Sequence, residues 1–113
     1  MALDLFVGIP VTDYAEALSW YERFFGGPPS FLPNDSEAVW EVGAHQYVYI
    51  VQDAARAGNA VVLLFVEDLD VRVAAITRRG ISPAERETYE GGPTKVTYRD
   101  AEGNELSLGG NPG

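Results

Sequence analysis

The chain has 113 residues, 46% hydrophobic and 22% charged, which suffices for one folded domain with a real core and hardly for two. Seventeen acids against eight bases leave a formal charge of -9, which repels phosphate backbones and anionic lipid and argues against nucleic acid or a membrane as partner. With no cysteine there are no disulfides, thiolate nucleophiles or cysteine-held zinc, and with no apolar run approaching the roughly 20 residues of a membrane span the cytoplasm is the expected location.

Residues 3–11, LDLFVGIPV, read as a strand with Val7, Ile9 and Val11 on one face and Phe6, Gly8 and Pro10 on the other. A helix follows. Asp13 is its expected N-cap, and Glu16 completes a capping-box-like pattern. Tyr14, Ala17, Leu18, Tyr21 and Phe25 form one buried stripe, and Gly26, Gly27, Pro28 and Pro29 end the helix. SFLP and EAVWEVG read as short strands. QYVYIVQD reads as a stronger one, with Tyr47, Tyr49 and Val51 opposite in face to Val48 and Ile50.

The order then starts again. Residues 59–80 contain a strand, a cap at Asp68, a helix striped by Leu69, Val73 and Ile76, and a terminal glycine. ISPAERETYEG and PTKVTYRD follow as strand-like stretches, and the AEGN turn, where Gly103 suits a positive φ, leads into ELSL. The chain is therefore a single α+β domain of two βαβββ modules, 1–53 and 59–108, with a linker at 54–58 and a loose tail at 109–113. One helix per module covers one side of its strands, and the other side needs a different cover or is a binding surface.

This order, carried by VTDYAEALSWYERFFGG, FVEDLDVRVAAITRRGI and YRDAEGNELSL, resembles the vicinal oxygen chelate superfamily, the glyoxalase, bleomycin-resistance and extradiol dioxygenase fold. The resemblance implies curved mixed sheets around a cleft, shared in many dimeric relatives by strands of two chains, so a homodimer is expected. It also implies a divalent ion in the metal-using members. Their ligand positions correspond here to Phe6, Tyr49, Val61 and Ser107, which supply no set of imidazole or carboxylate donors. No metal and no other cofactor is therefore expected, and no catalytic residue is assigned. The lone His45, in the GAHQ turn, reads as surface.

Strand alternation predicts the cleft wall instead: Phe6, Tyr47, Tyr49, Val61, Leu63, Phe65, Glu105 and Ser107, with Trp40 and Tyr98 on intervening strands whose facing the sequence leaves open. Glu41, Glu105 and Asp100 are candidates for the cleft mouth. The metal-free bleomycin-resistance proteins, which the chain resembles in type, sequester a planar cationic antibiotic, and an acidic, aromatic cleft suits such a ligand. The expected function is thus metal-independent sequestration of an aromatic, cationic antibiotic or metabolite. The alternatives are a lyase, isomerase or dioxygenase with an unconventional site built on Tyr49, Glu105 or His45, and a scaffold domain that binds protein on its concave face.

Overall fold

The structure, a computed structural model, describes residues 3–111. It is α+β and repeats βαβββ twice. The first module is β1 (Leu5–Val11), α1 (Tyr14–Phe25), β2 (Phe31–Asn34), β3 (Glu37–Gly43) and β4 (Gln46–Gln52). The second is β5 (Val61–Phe65), α2 (Leu69–Arg78), β6 (Glu85–Thr88), β7 (Thr94–Arg99) and β8 (Glu105–Gly110). The sheets have the orders β1-β4-β3-β2 and β5-β8-β7-β6, with the first pair of each parallel and the rest antiparallel. Among the described residues no helix is long and apolar enough to cross a membrane.

One continuous core joins the modules. Ile9, Val11, Val48 and Ile50 of the first sheet and Val62, Val96, Leu106 and Leu108 of the second belong to the same buried cluster as Tyr21, Phe24 and Ile76 of the helices. The α1 stripe is wider than expected, because Trp20 and Phe24 are buried beside Ala17 and Tyr21. Tyr21 packs against Trp40 of β3 while Phe24 packs against Tyr98 of β7, so α1 serves both sheets and needs two apolar flanks.

The helix ends follow local rules only in part. Asp13 caps α1, its carboxylate accepting from the Glu16 N–H at 3.0 Å, and Gly26 closes the helix at φ 90°. The reciprocal half of the capping box does not come from Glu16. Glu102 of the second module takes that place, its carboxylate accepting from the N–H groups of Thr12, at 2.6 and 2.7 Å, and of Asp13, at 2.9 Å. Asp68 makes no side-chain cap on α2; its carboxylate turns instead to Arg72 at 2.6 Å, the stronger charged partner one turn along.

The tail expected over 109–113 begins as strand. Gly109 and Gly110 pair with Lys95 and Thr94 and are buried, while 112 and 113 lie outside the described residues. Backbone proximity demands glycine at the end of β8: a Cβ on Gly110 would stand 2.6 Å from the Val66 carbonyl oxygen.

Candidate functional site

Directly opposed residues share a face, so strand register assigns the side of each sheet away from the core. In the first sheet Phe6 lies opposite Tyr47 and Tyr47 opposite Glu41; the next row runs Gly8, Tyr49, Val39, Phe31. Phe6 and Tyr47 stack with ring centroids 4.4 Å apart and planes 12° from parallel, and Phe31 meets Tyr47 edge-on at 6.4 Å. Gly8 permits the remaining ring. A Cβ there would come within 2.6 Å of Tyr49 Oη, so the phenol lies against β1 because no side chain stands in its way.

The equivalent face of the second sheet is apolar at β5 and mostly polar beyond it. Its rows are Val61, Glu105, Arg99; then Leu63, Ser107, Thr97; then Phe65, Gly109, Lys95. Val61, Leu63 and Phe65 are 75%, 54% and 67% exposed, so within one chain the β5 edge of this face is open. Leu63 and Phe65 lean over Gly109, whose Cβ would meet them at 3.2 and 3.1 Å. Ser107 and Thr97 are buried and share a hydroxyl hydrogen bond of 3.1 Å. Arg99 pairs with Glu85 at 3.0 Å and reaches Glu105 at 3.5 Å.

Two predicted wall residues face the other way. Trp40 is level with Val48 and Tyr98 with Leu106, which puts both rings on the helix side. Trp40 packs on Tyr21 and Phe25 and donates its indole N–H to the Gly27 carbonyl at 3.0 Å; Tyr98 meets Phe24 at 5.4 Å. They are core because α1 brings aromatic side chains to meet them. Asp100, expected near the cleft mouth, is also buried. It accepts from Tyr21 Oη at 2.8 Å and from Asn104 Nδ2 at 2.9 Å, and burial followed by this carboxylate pushes the Tyr21 phenol far above its ordinary range.

His45 occupies the left-handed region at φ 61° in the β3–β4 turn. Its Nδ1 lies 2.6 Å from Asp4 Oδ1, and its carbonyl accepts from the Leu5 N–H at 2.8 Å, so it holds the entry to β1. Sequence reasoning did not assign Phe31, Glu37, Val39, Lys95 or Thr97 to the open faces. Once Trp40 and Tyr98 are turned inward, alternation along β3 and β7 places the last four; nothing in the four residues of β2 foretells Phe31.

The residues at the superfamily's metal positions do not fit a metal. Phe6 is committed to a ring stack, Val61 has no donor, and the Ser107 hydroxyl is shared with Thr97. Among the described residues no group of three His, Cys, Asp or Glu side chains is placed to hold an ion. What the molecule offers is concave space. A groove of about 1200 Å³ runs between the modules, taking in Trp40, Tyr47, Leu63 and Phe65 of the predicted set together with Glu41. Phe6, Tyr49, Val61, Tyr98, Glu105 and Ser107 lie outside it.

No protein-family model matches the chain, and no curated protein matches it. Solved structures do. A glyoxalase/bleomycin resistance protein from Catenulispora acidiphila DSM 44928 is 41% identical, covering 98% of this chain and 100% of that one, with a TM-score of 0.95. A bleomycin-binding protein complexed with bleomycin is 20% identical over 98% of this chain and 100% of that one, with a TM-score of 0.77. A lactoylglutathione lyase from Agrobacterium tumefaciens is 16% identical over 97% of this chain and 94% of that one, with a TM-score of 0.74. The last two share the fold, and the same fold thus carries a binder in one protein and a lyase in another.

Proposed function

The chain belongs to the glyoxalase/bleomycin resistance protein family of the vicinal oxygen chelate superfamily, and on that premise we propose that it is a metal-independent small-molecule-binding protein that sequesters an aromatic ligand. The observation that carries this reading is the ring cluster of Phe6, Tyr47 and Phe31, open to solvent on the face where chelating relatives hold their ion. Stacked rings offer a flat ligand area and geometry but no proton transfer and no coordination, which favours binding over turnover. In this reading the protein acts in the cytoplasm as a homodimer, the partner chain covering the open sheet faces, with neither nucleic acid nor a membrane as partner.

Calorimetric titration and thermal shift against a panel of planar aromatic compounds, bleomycin included, test it. A ligand at a hundredfold its Kd stabilises by about 2.7 kcal/mol, enough to raise Tm by several degrees. The shift is expected to vanish when Phe6 and Tyr47 are both changed to Ala and to survive removal of metal by a chelator. A diverse panel without a single binder, or binding abolished by the chelator, overturns the proposal.

The rival reading, an enzyme with an unconventional site, draws on Tyr49, whose hydroxyl stands beside Gly8 without a hydrogen-bond partner among the described residues. Stoichiometric nickel, zinc, manganese or iron in protein grown with those metals would favour it.

A further inference from the structure

The seam between the modules is closed on one side and open on the other. Matched by strand register, the modules pair Ile9 and Val11 with Leu64 and Val66, and Asp100 and Glu102 with Val42 and Ala44. On the closed side polar links fix the β7–β8 turn to β1 and α1. They are Asp100 to Tyr21 at 2.8 Å, Asn104 to the Pro10 carbonyl at 3.0 Å, and Glu102 to the N–H groups of Thr12 and Asp13. The intermodule linker packs into the same edge: Gly58 is at φ 90°, and a Cβ there would lie 2.8 Å from the Glu102 carbonyl oxygen. Ile9 and Val11 are fully buried on this side. On the other side Val42 and Ala44 stand where the two linking carboxylates would be, and neither side chain can make such a bond. The groove opens there, lined chiefly by the helix-facing rows of both sheets. Its walls include Val7 and Val42 of the first module and Leu64 and Val66 of the second, all only partly buried, and Leu5, which is 52% exposed.

Hydrogen bonds are directional and fix one arrangement of the closed side, whereas apolar contact alone fixes no angle. Arg79, at the C-terminal end of α2, is a second tie between the modules. Its guanidinium donates to the Arg23 carbonyl and, at 3.0 Å, to the Phe24 carbonyl. The apolar walls of the groove gain by meeting, as the burial of their counterparts Ile9 and Val11 shows. We propose that the seam is a hinge: the modules close over the groove by turning about an axis through the β7–β8 turn and Arg79, and closure buries Leu5, Leu64 and Val66. The groove is then the space between two positions of the modules. Turning one sheet against the other also resets the angle between their outer faces, which gives the molecule a second shape with each module intact. The inference goes beyond the aromatic-binding reading and does not depend on it.

The chain has no cysteine, so spin labels can be placed at will. Ser19→Cys with Ala101→Cys spans the linked side, and Ala74→Cys with Ala44→Cys spans the groove; all four positions are exposed, and each pair joins a helix to a turn. Distance distributions come from pulsed dipolar spectroscopy of the full chain, diluted with unlabelled protein so that only distances within one chain are read. The linked pair is expected to give a narrow distribution and the groove pair one at least about twice as wide. Leu5→Asp, which sets a charge in the closing walls, should move the groove pair to longer separations and leave the linked pair unchanged. Equal widths for the two pairs overturn the hinge, and so does a groove-pair distribution that Leu5→Asp leaves in place. The comparison of widths needs only the labelled chain, so it stands even if Leu5→Asp does not fold. Far-UV circular dichroism and Tm of each variant separate a change of hinge from a loss of fold. No ligand enters the measurement, so its failure leaves the aromatic-binding reading standing, and failure of that reading leaves the hinge standing.

Discussion

Tyr21 of α1 and Tyr98 of β7 are both fully buried phenols. Tyr21 gives its hydroxyl to Asp100, whereas Tyr98 Oη is buried with no hydrogen-bond partner among the described residues. Burial raises the pKa of both, so both remain protonated through the neutral range. Their hydroxyls nevertheless carry opposite values. An unpartnered buried hydroxyl costs about 1 to 3 kcal/mol, and a hydrogen bond to a charged group contributes about 1.5 to 3 kcal/mol. Tyr98→Phe is therefore expected to leave stability unchanged or raise it by about 1 kcal/mol, and Tyr21→Phe to lower it by about 2 kcal/mol, both read from urea unfolding midpoints. A loss on Tyr98→Phe as large as that on Tyr21→Phe would mean that the Tyr98 hydroxyl is satisfied by a bound water.

At the level of elements, the turn between β7 and β8 does more than reverse the chain. Asp100 organises it, accepting from the N–H groups of Glu102 and Asn104, each at 2.9 Å. Asn104 then donates to the Pro10 carbonyl of β1 at 3.0 Å and accepts from Ala60 at 2.9 Å, while Glu102 caps α1. One turn of the second module thus holds a strand end and a helix start of the first. Desolvation raises the Glu102 carboxyl, but the N–H groups of Asp13 and Thr12 outweigh it and keep it below the ordinary carboxylate range. A folded pKa below the unfolded one stabilises above the unfolded value, and that contribution is lost as pH falls through the folded value. Glu102→Gln is accordingly expected to cost about 1 kcal/mol at neutral pH, with the gap to the wild type closing in acid. Urea unfolding from neutral pH down to about pH 3 checks this, and a gap that is flat with pH would assign the cap to geometry alone. The Asp13 cap was legible because it is local. The Glu102 cap was not, because its partners lie 89 and 90 residues away and no pattern along the chain links them.

The whole molecule is broad and thin, with extents of 42 × 37 × 24 Å. It is wide because the modules lie beside each other around a shared core, and that arrangement leaves Phe6 and Phe31 of the first sheet and Val61, Leu63 and Phe65 of the second exposed on the outer faces. Covering an apolar side chain of this kind is worth about 1.5 to 3 kcal/mol, so Val61, Leu63 and Phe65 are a large incentive to self-association. Val61→Asp is expected to leave the Tm of the isolated chain nearly unchanged, since Val61 is 75% exposed, and to weaken any dimer at least tenfold in sedimentation equilibrium. Identical sedimentation of variant and wild type as monomers would remove the homodimer from the proposed function.

Periodicity along the chain determined the repeat, the two capped or glycine-stopped helices and the alternation that puts Phe6 with Tyr47 and Tyr49, because those depend on contacts between near neighbours and on the two-residue pleat. The resemblance to the superfamily, laid over that spacing, put Phe6, Tyr49, Val61 and Ser107 at the metal positions, a set without imidazole or carboxylate. Only tertiary structure decided that Trp40 and Tyr98 are core: a strand has two equivalent faces until a helix chooses one, and α1 chose for both sheets through Tyr21 and Phe24. Only tertiary structure brought Leu63 and Phe65 into one groove with Glu41 and Tyr47, since those residues share no local pattern and line the same space only because two modules dock around a common core.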